Sequence, residues 1–237
     1  MSGWAPKRFW KEARVAEVDG GWTVTLDGRK VRTPAKADFV VPTRALAESC
    51  AAEWAAQDEL VRPDTMPHTR TANSAIDKVR AQHGEVAALV AAYGETDLTC
   101  YRAEGPDELV ARQAAAWDPL IGWAETALGA RLVPVAGVMH QAQASEALAR
   151  LAEATVALDA FELAAFHDLV ALSGSLVIGF AAARGARAPE ALWEDSRIDE
   201  SWQAEQWGED EEAAATAALK REAFLHAARF ISLLQGD

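Results

Sequence analysis

"ARVAEVDGGWTVTLDGRKVRTP", residues Ala13 to Pro34, is the stretch that decides the fold. Ala13 to Val18 alternates apolar with polar side chains, the period of a strand that shows one face to a core. Asp19-Gly20-Gly21 supplies a turn, and Trp22 to Leu26 alternates again. Asp27-Gly28 between alternating runs is a two-residue hairpin signal, because a type I′ turn needs positive φ at both positions. Arg29 to Pro34 returns, and "DFVVP" (Asp38 to Pro42) reads as a fourth short strand. The expectation is an antiparallel meander of three or four strands.

The period then changes. In "PTRALAESCAAEWAAQ" Thr43 is placed to cap a helix, and Leu46, Cys50 and Trp54 recur every fourth residue. From Pro67 onward almost everything reads as helix. "PHTRTANSAIDKV" is preceded by Asp64 and Thr65 as cap candidates and has a proline in its first turn. "GEVAALVAAYGE" ends near Gly94, and Gly105-Pro106-Asp107 separates it from "ELVARQAAAWDPLIGWAETAL", which we expect to be interrupted at Asp118-Pro119. "RLVPV" (Arg131 to Val135) is an isolated strand or an extended connector. Three further helical stretches follow: Ala144 to Leu158, Ala160 to Ala183, and Pro189 to about Leu234 with a break near Gly208. The fold class expected is α+β, with a small β-rich domain over residues 1–62, ending in a helix, and a helical domain over 63–237.

The chain has 237 residues, half of them hydrophobic and a quarter charged, as in an ordinary folded protein with a real core. The formal charge of -13 argues against non-specific nucleic-acid or anionic-membrane binding, which need a positive field. "LVALSGSLVIGFAAA" (Leu169 to Ala183) falls short of the roughly 20 apolar residues that cross a bilayer. Interrupted at Ser173-Gly174-Ser175, it reads as a buried helix with a kink or break. "MSGWAPKRFWKEARV" has basic residues but no apolar core of a secretory signal, and a cytoplasmic bacterial-type protein is expected, or a mitochondrial matrix one if the source is eukaryotic. Cys50 and Cys100 stand apart, so neither a zinc site nor a disulfide framework is indicated.

The usual catalytic signatures are missing. There is no GxxxxGK[ST] loop, no GxGxxG after a strand, no HExxH and no GxSxG elbow. The five histidines are scattered, and adjacent His167 and Asp168 point about a hundred degrees apart on a helix. No catalytic, cofactor or metal residues are therefore assigned.

One segment resists that plain reading. "SRIDESWQAEQWGEDEEA" (Ser196 to Ala213) sets Trp202 and Trp207 among carboxylates with no lysine nearby. Three accounts compete: a solvated helix with one buried stripe, a carboxylate metal or catalytic site, and a surface that holds another protein. Glu205, Glu209 and Glu212 share one face if the helix runs through Gly208, yet no histidine and no Asp-rich loop accompany them. Trp202 and Trp207 are five apart, about 140° on a straight helix, so they cannot share a narrow stripe. Either the helix ends near Gly208 or one ring stays partly exposed. The chain has nine tryptophans, and Trp54, Trp117 and Trp123 read as core, with apolar neighbours at helical spacing.

Taken in order, several stretches resemble one family, the assembly chaperones of F-type ATP synthase that handle its alpha subunit. They are "RFWKEARV" (Arg8 to Val15), "VTLDGRKVRTP" (Val24 to Pro34), "EWAAQ" (Glu53 to Gln57) and "MPHTRTANSAIDKV" (Met66 to Val79). "ETDLTCYRA" (Glu95 to Ala103), "WDPLIGW" (Trp117 to Trp123), "LVALSGSLVIGFA" (Leu169 to Ala181) and "DESWQAEQWGEDEEA" (Asp199 to Ala213) complete the set. The resemblance implies a β-rich N-terminal and a helical C-terminal domain, and no enzymatic activity. It implies a role in binding the free alpha subunit, preventing its aggregation and handing it over for catalytic-head assembly, with no nucleotide hydrolysis and no cofactor.

It also makes the acidic C-terminal segment important, so the expected partner-binding residues are Trp202, Glu205, Trp207, Glu209, Asp210 and Glu212. The chain departs from the family where a His-Asp pair often follows this segment; here it runs "AAATAALK" (Ala213 to Lys220). Two other readings stay open. One is a small-molecule enzyme with a site between the domains, using Arg70, Asn73 and Asp77; the other is a peptide-binding module of broader clientele.

Overall fold

The computed structural model describes residues 7–236. β1 (Ala13–Val18) pairs antiparallel with β2 (Gly21–Leu26), which pairs with the two-residue β3 (Arg29–Lys30), so the sheet has three strands in sequence order. Asp27 takes φ 47° and Gly28 φ 82°, the left-handed pair that the hairpin signal requires. Asp38 to Pro42 does not become a fourth strand. Its contacts are isolated bridges, Trp22 with Val41 and Arg32 with Asp38. Gly21, at φ 145°, is needed beneath this crossing because a Cβ there would collide with the Val41 carbonyl.

α1 (Arg44–Ala55) starts where expected, with Thr43 Oγ1 accepting from the Leu46 N–H. Val24, Phe39, Val41, Leu46 and Cys50 are all fully buried and form the core that sheet and α1 share. Burial pushes the Cys50 thiol up to about 12, so it serves as a small apolar side chain. Asp64 and Thr65 lie in a 3-10 turn (Pro63–Thr65) and do not cap α2 (Pro67–Ser74). Glu53 does that work from α1. Its Oε1 accepts from the His68 N–H at 2.8 Å, and its Oε2 from the Thr69 N–H at 2.8 Å and the Thr69 hydroxyl at 2.6 Å. Burial raises this carboxyl, but the bonds from His68 and Thr69 together outweigh it and hold Glu53 below its ordinary value.

The remaining helices are α3 (His83–Ala91), α4 (Asp107–Leu128), α5 (Ser145–Val156), α6 (Ala160–Ser173), α7 (Leu176–Ala183), α8 (Pro189–Asp195), α9 (Ile198–Trp207) and α10 (Glu211–Leu234). The fold is thus α+β, a small antiparallel sheet followed by a mainly helical remainder. The chain divides into two compact units. One comprises described residues 7–82, 160–165 and 229–236, the other 83–159 and 166–228.

Three further expectations need correction. Pro119 does not interrupt α4, because Trp117 and Leu120 on either side of it are buried and packing holds the helix together. Only Val135 of "RLVPV" is in a strand: with Ala136 it forms β5 (Val135–Ala136), a parallel pair with β4 (Tyr101–Arg102). The last helical stretch is broken twice, after Asp195 as well as at Gly208.

Between α6 and α7 the chain turns at Gly174 (φ 73°), and the Ser175 hydroxyl caps α7 by accepting from the Ile178 N–H. The Ala160 to Ala183 stretch is therefore two helices. Gly179 lets α7 approach α6, since a Cβ there would lie 2.6 Å from Val170 Cγ2. Asp97, fully buried, ties this turn down. Its Oδ1 accepts from the Thr99 N–H and hydroxyl and the Ser175 hydroxyl, and its Oδ2 accepts from the Val177 N–H. No described helix is long and apolar enough to cross a membrane.

Candidate partner-binding site

α9 begins with Asp199 and Glu200 in its first turn, where carboxylates complement the positive end of the helix. Gln113 of α4 donates to Asp199 Oδ1 at 2.6 Å while its own Oε1 accepts from the Ala103 N–H at 2.8 Å. The fully buried Trp117 donates its indole N–H to the Asp195 carbonyl at 2.7 Å. These bonds fix the end of α8 and the start of α9 against α4 and orient what α9 exposes.

The exposed side carries Trp202, Glu205 and Trp207. Arg112 of α4 forms two parallel bonds with Glu205, at 2.7 and 2.9 Å, and its guanidinium lies over the Trp202 ring, 5.1 Å from the centroid. The bonds to Arg112 hold the Glu205 carboxyl below its ordinary value and raise the guanidinium in turn. Both side chains face water, so salt screens the pair and its value is mainly orientational. It holds the half-buried Trp202 ring in one pose.

Gly208, at φ 92° and ψ 157°, ends the helix, and its N–H donates to the Ala204 carbonyl. Trp207, the last helical residue, is 80% exposed. Trp202 and Trp207 nevertheless line one cavity, of about 530 Å³, together with Tyr101, Pro106, Leu109 and Val138. Val138 is 93% and its neighbour Met139 78% exposed, so a loop in the same unit brings further apolar surface to the mouth. A large aromatic beside exposed aliphatic side chains and a charged rim is the composition of a protein-binding surface.

The structure does not bring all six expected residues together. Because α9 stops at Gly208, Glu205, Glu209 and Glu212 do not share a face as they would on a continuous helix. Asp210 caps α10, its Oδ1 accepting from the Ala213 N–H at 2.8 Å. Glu209 and Glu212 are exposed. Among the described residues no three His, Cys, Asp or Glu side chains are grouped to hold a metal ion. His167 and Asp168, read as diverging, are hydrogen-bonded at 3.1 Å, and that bond raises the imidazole pKa.

Sequence reasoning missed Arg112, Val138 and Met139. Arg112 lies 93 residues from Glu205 and gives no local signal. "GVMH" (Gly137 to His140) was legible as an apolar pair in a polar loop. Trp54 and Trp123, read as core, are only half-buried.

Solved structures resembling almost the whole chain include Atp12 from Paracoccus denitrificans, 47% identical, with a TM-score of 0.94 over 96% of this chain and 98% of that one. A protein from Agrobacterium tumefaciens is 44% identical, with a TM-score of 0.90 over 97% of this chain and 85% of its own. The model of the ATP12 chaperone protein matches residues 7–125, and the chain belongs to this family of ATP synthase assembly chaperones. The mitochondrial protein atp12 of Schizosaccharomyces pombe is 28% identical over 222 residues, 87% of this chain and 75% of that one. The descriptions of the family and of the Agrobacterium protein name a chaperone and no enzyme activity.

Proposed function

We propose that the protein binds the free alpha subunit of the F-type ATP synthase, keeps it from aggregating, and hands it over for catalytic-head assembly without hydrolysing nucleotide. The observation that carries this reading is Trp207, 80% exposed at the end of α9 beside a Trp202 held by Arg112 and Glu205. Interfaces draw most of their energy from such aromatic anchors, while charged rims add specificity and steering. Trp202 and Trp207 are the anchors, Glu205 orients Trp202, and Glu209 and Glu212 form an acidic rim. Asp210 acts by capping α10 and so sets the direction in which that rim leaves the bend.

The mechanism is mass action. A partner that covers an exposed subunit surface lowers the concentration of free aggregating species. A net charge of -13 keeps the complex soluble. The compartment is the one where the catalytic head is assembled, a bacterial cytoplasm or a mitochondrial matrix.

Co-purification tests the partner. Tagged protein, mixed with purified alpha and purified beta subunits separately, should retain alpha and release beta. Retention of both equally, or of neither, sinks the alpha-specific reading.

A further inference from the structure

The first unit holds a cavity of about 480 Å³ that the α9 surface does not use. Trp54, Val61 and Met66 give it an apolar lining. Three of its lining residues each leave a buried polar atom without a hydrogen-bond partner: Nε1 of Trp54, Oδ1 of Asn73 and Oδ1 of Asp77. Unpaired buried polar atoms are few in native proteins, and three around one cavity call for a ligand.

The atoms are held in place. Trp10 packs edge-on against Trp54 with centroids 5.2 Å apart, and the other Asp77 oxygen accepts from the Ala35 N–H at 3.0 Å. Asp77 sits in a π-helical turn, Ala75–Val79, which continues α2. Such turns are rare and occur frequently at functional positions.

The lining also includes Arg32, Arg70 and Lys78, three cations against the single carboxylate of Asp77. That excess of positive charge stands out in so acidic a chain. One donor and two acceptors match the main chain of an extended peptide, whose carbonyl accepts from the indole and whose N–H groups donate to the two oxygens. Succinate can accept from the indole and pair with the cations, but it has no N–H or O–H to give Asn73 and Asp77, so it leaves those two oxygens unpaired and binds more weakly.

We propose that this cavity is a second client-binding site, taking an extended polypeptide segment in which an apolar side chain is flanked by acidic residues. The apolar side chain enters against Trp54, Val61 and Met66, and the flanking carboxylates meet Arg70 and Lys78. The proposal rests on the reading of the protein as a holder of an unassembled subunit.

The test follows the indole N–H of Trp54 by NMR in the full chain, assigned with Trp54→Phe. The probes are the blocked peptides acetyl-Glu-Leu-Asp-Leu-amide and acetyl-Lys-Leu-Lys-Leu-amide, and succinate. The acidic peptide should shift the signal saturably, with the basic peptide and succinate roughly tenfold weaker or silent. Arg70→Glu should weaken the acidic peptide by a similar factor. Lys78→Glu, at an exposed position, gives the same readout should the Arg70 variant fold poorly.

No shift with the acidic peptide, equal shifts with both peptides, or an equal response to succinate overturns the proposal. Capture of the alpha subunit is measured on the same preparation. Capture without the peptide shift removes the cavity and leaves the alpha reading standing. The peptide shift without capture supports the cavity and removes that reading.

Discussion

Two acidic regions of this protein put carboxylates to opposite uses. Asp97 is fully buried and accepts four hydrogen bonds, two from Thr99, one from Ser175 and one from Val177. Burial pushes its carboxyl above the ordinary value, against the pull of those bonds. Around Gly208, by contrast, Glu205 meets one arginine at the surface, while Glu209 and Glu212 face water. The first region builds the fold and has nothing left to offer a partner. The second contributes little to folding and is therefore available for recognition.

Substitutions should separate the two. Asp97→Ala is expected to have the largest effect, because it strands four buried donors, two of Thr99 and two at the start of α7. Removing such an acceptor costs about 3–5 kcal/mol, which at about 2–4 °C per kcal/mol lowers the midpoint by roughly 10 °C. Thermal denaturation followed by circular dichroism checks this. A midpoint unchanged within error would erase the contrast.

Glu53→Gln comes next, and pH identifies its cause. The Glu53 carboxyl is held below its ordinary 4.5 in the folded chain, so the stability it contributes is present above that value. It is lost as pH falls through the lower folded value. The difference in midpoint between wild type and Glu53→Gln should therefore be full near pH 7 and shrink on acidification below about pH 4.5. A difference that grows on acidification would contradict the assignment of Glu53 as the charged cap of α2.

At the α9 surface the expected order reverses, with binding affected more than stability. Trp207→Ala should leave the thermal midpoint nearly unchanged, since the ring is exposed, yet weaken alpha-subunit binding by about 2 kcal/mol, some thirtyfold. Titration calorimetry reads the affinity, and thermal denaturation followed by circular dichroism reads the midpoint. Glu209→Lys should act least, lowering the association rate several-fold at low salt and hardly at all at high salt. A salt-independent loss would make Glu209 a direct contact.

Local patterns in the sequence carried the first unit well. The alternation of Ala13 to Leu26, the Asp27-Gly28 turn and the Thr43 cap all depend on neighbours, and each reappears in the structure. What was not legible depends on distant partners. Asp38 to Pro42 reads as a short strand but meets the sheet only at single bridges. Pro119 argues for a break that the packing of Trp117 and Leu120 overrides. At the candidate site Trp202 and Trp207 stood out by composition. Their shared cavity depends on Gly208 ending α9, on Arg112 of α4 and on the Val138 loop, which no local period reveals.

The surface around Trp207 is proposed to hold an aggregation-prone ATP synthase subunit without doing any chemistry. Light scattering of isolated alpha subunit, held at an aggregating temperature without ATP, tests it most directly. A few-fold molar excess of the protein should suppress the scattering, and Trp207→Ala should suppress it markedly less. Scattering that rises equally with and without the protein would contradict the account.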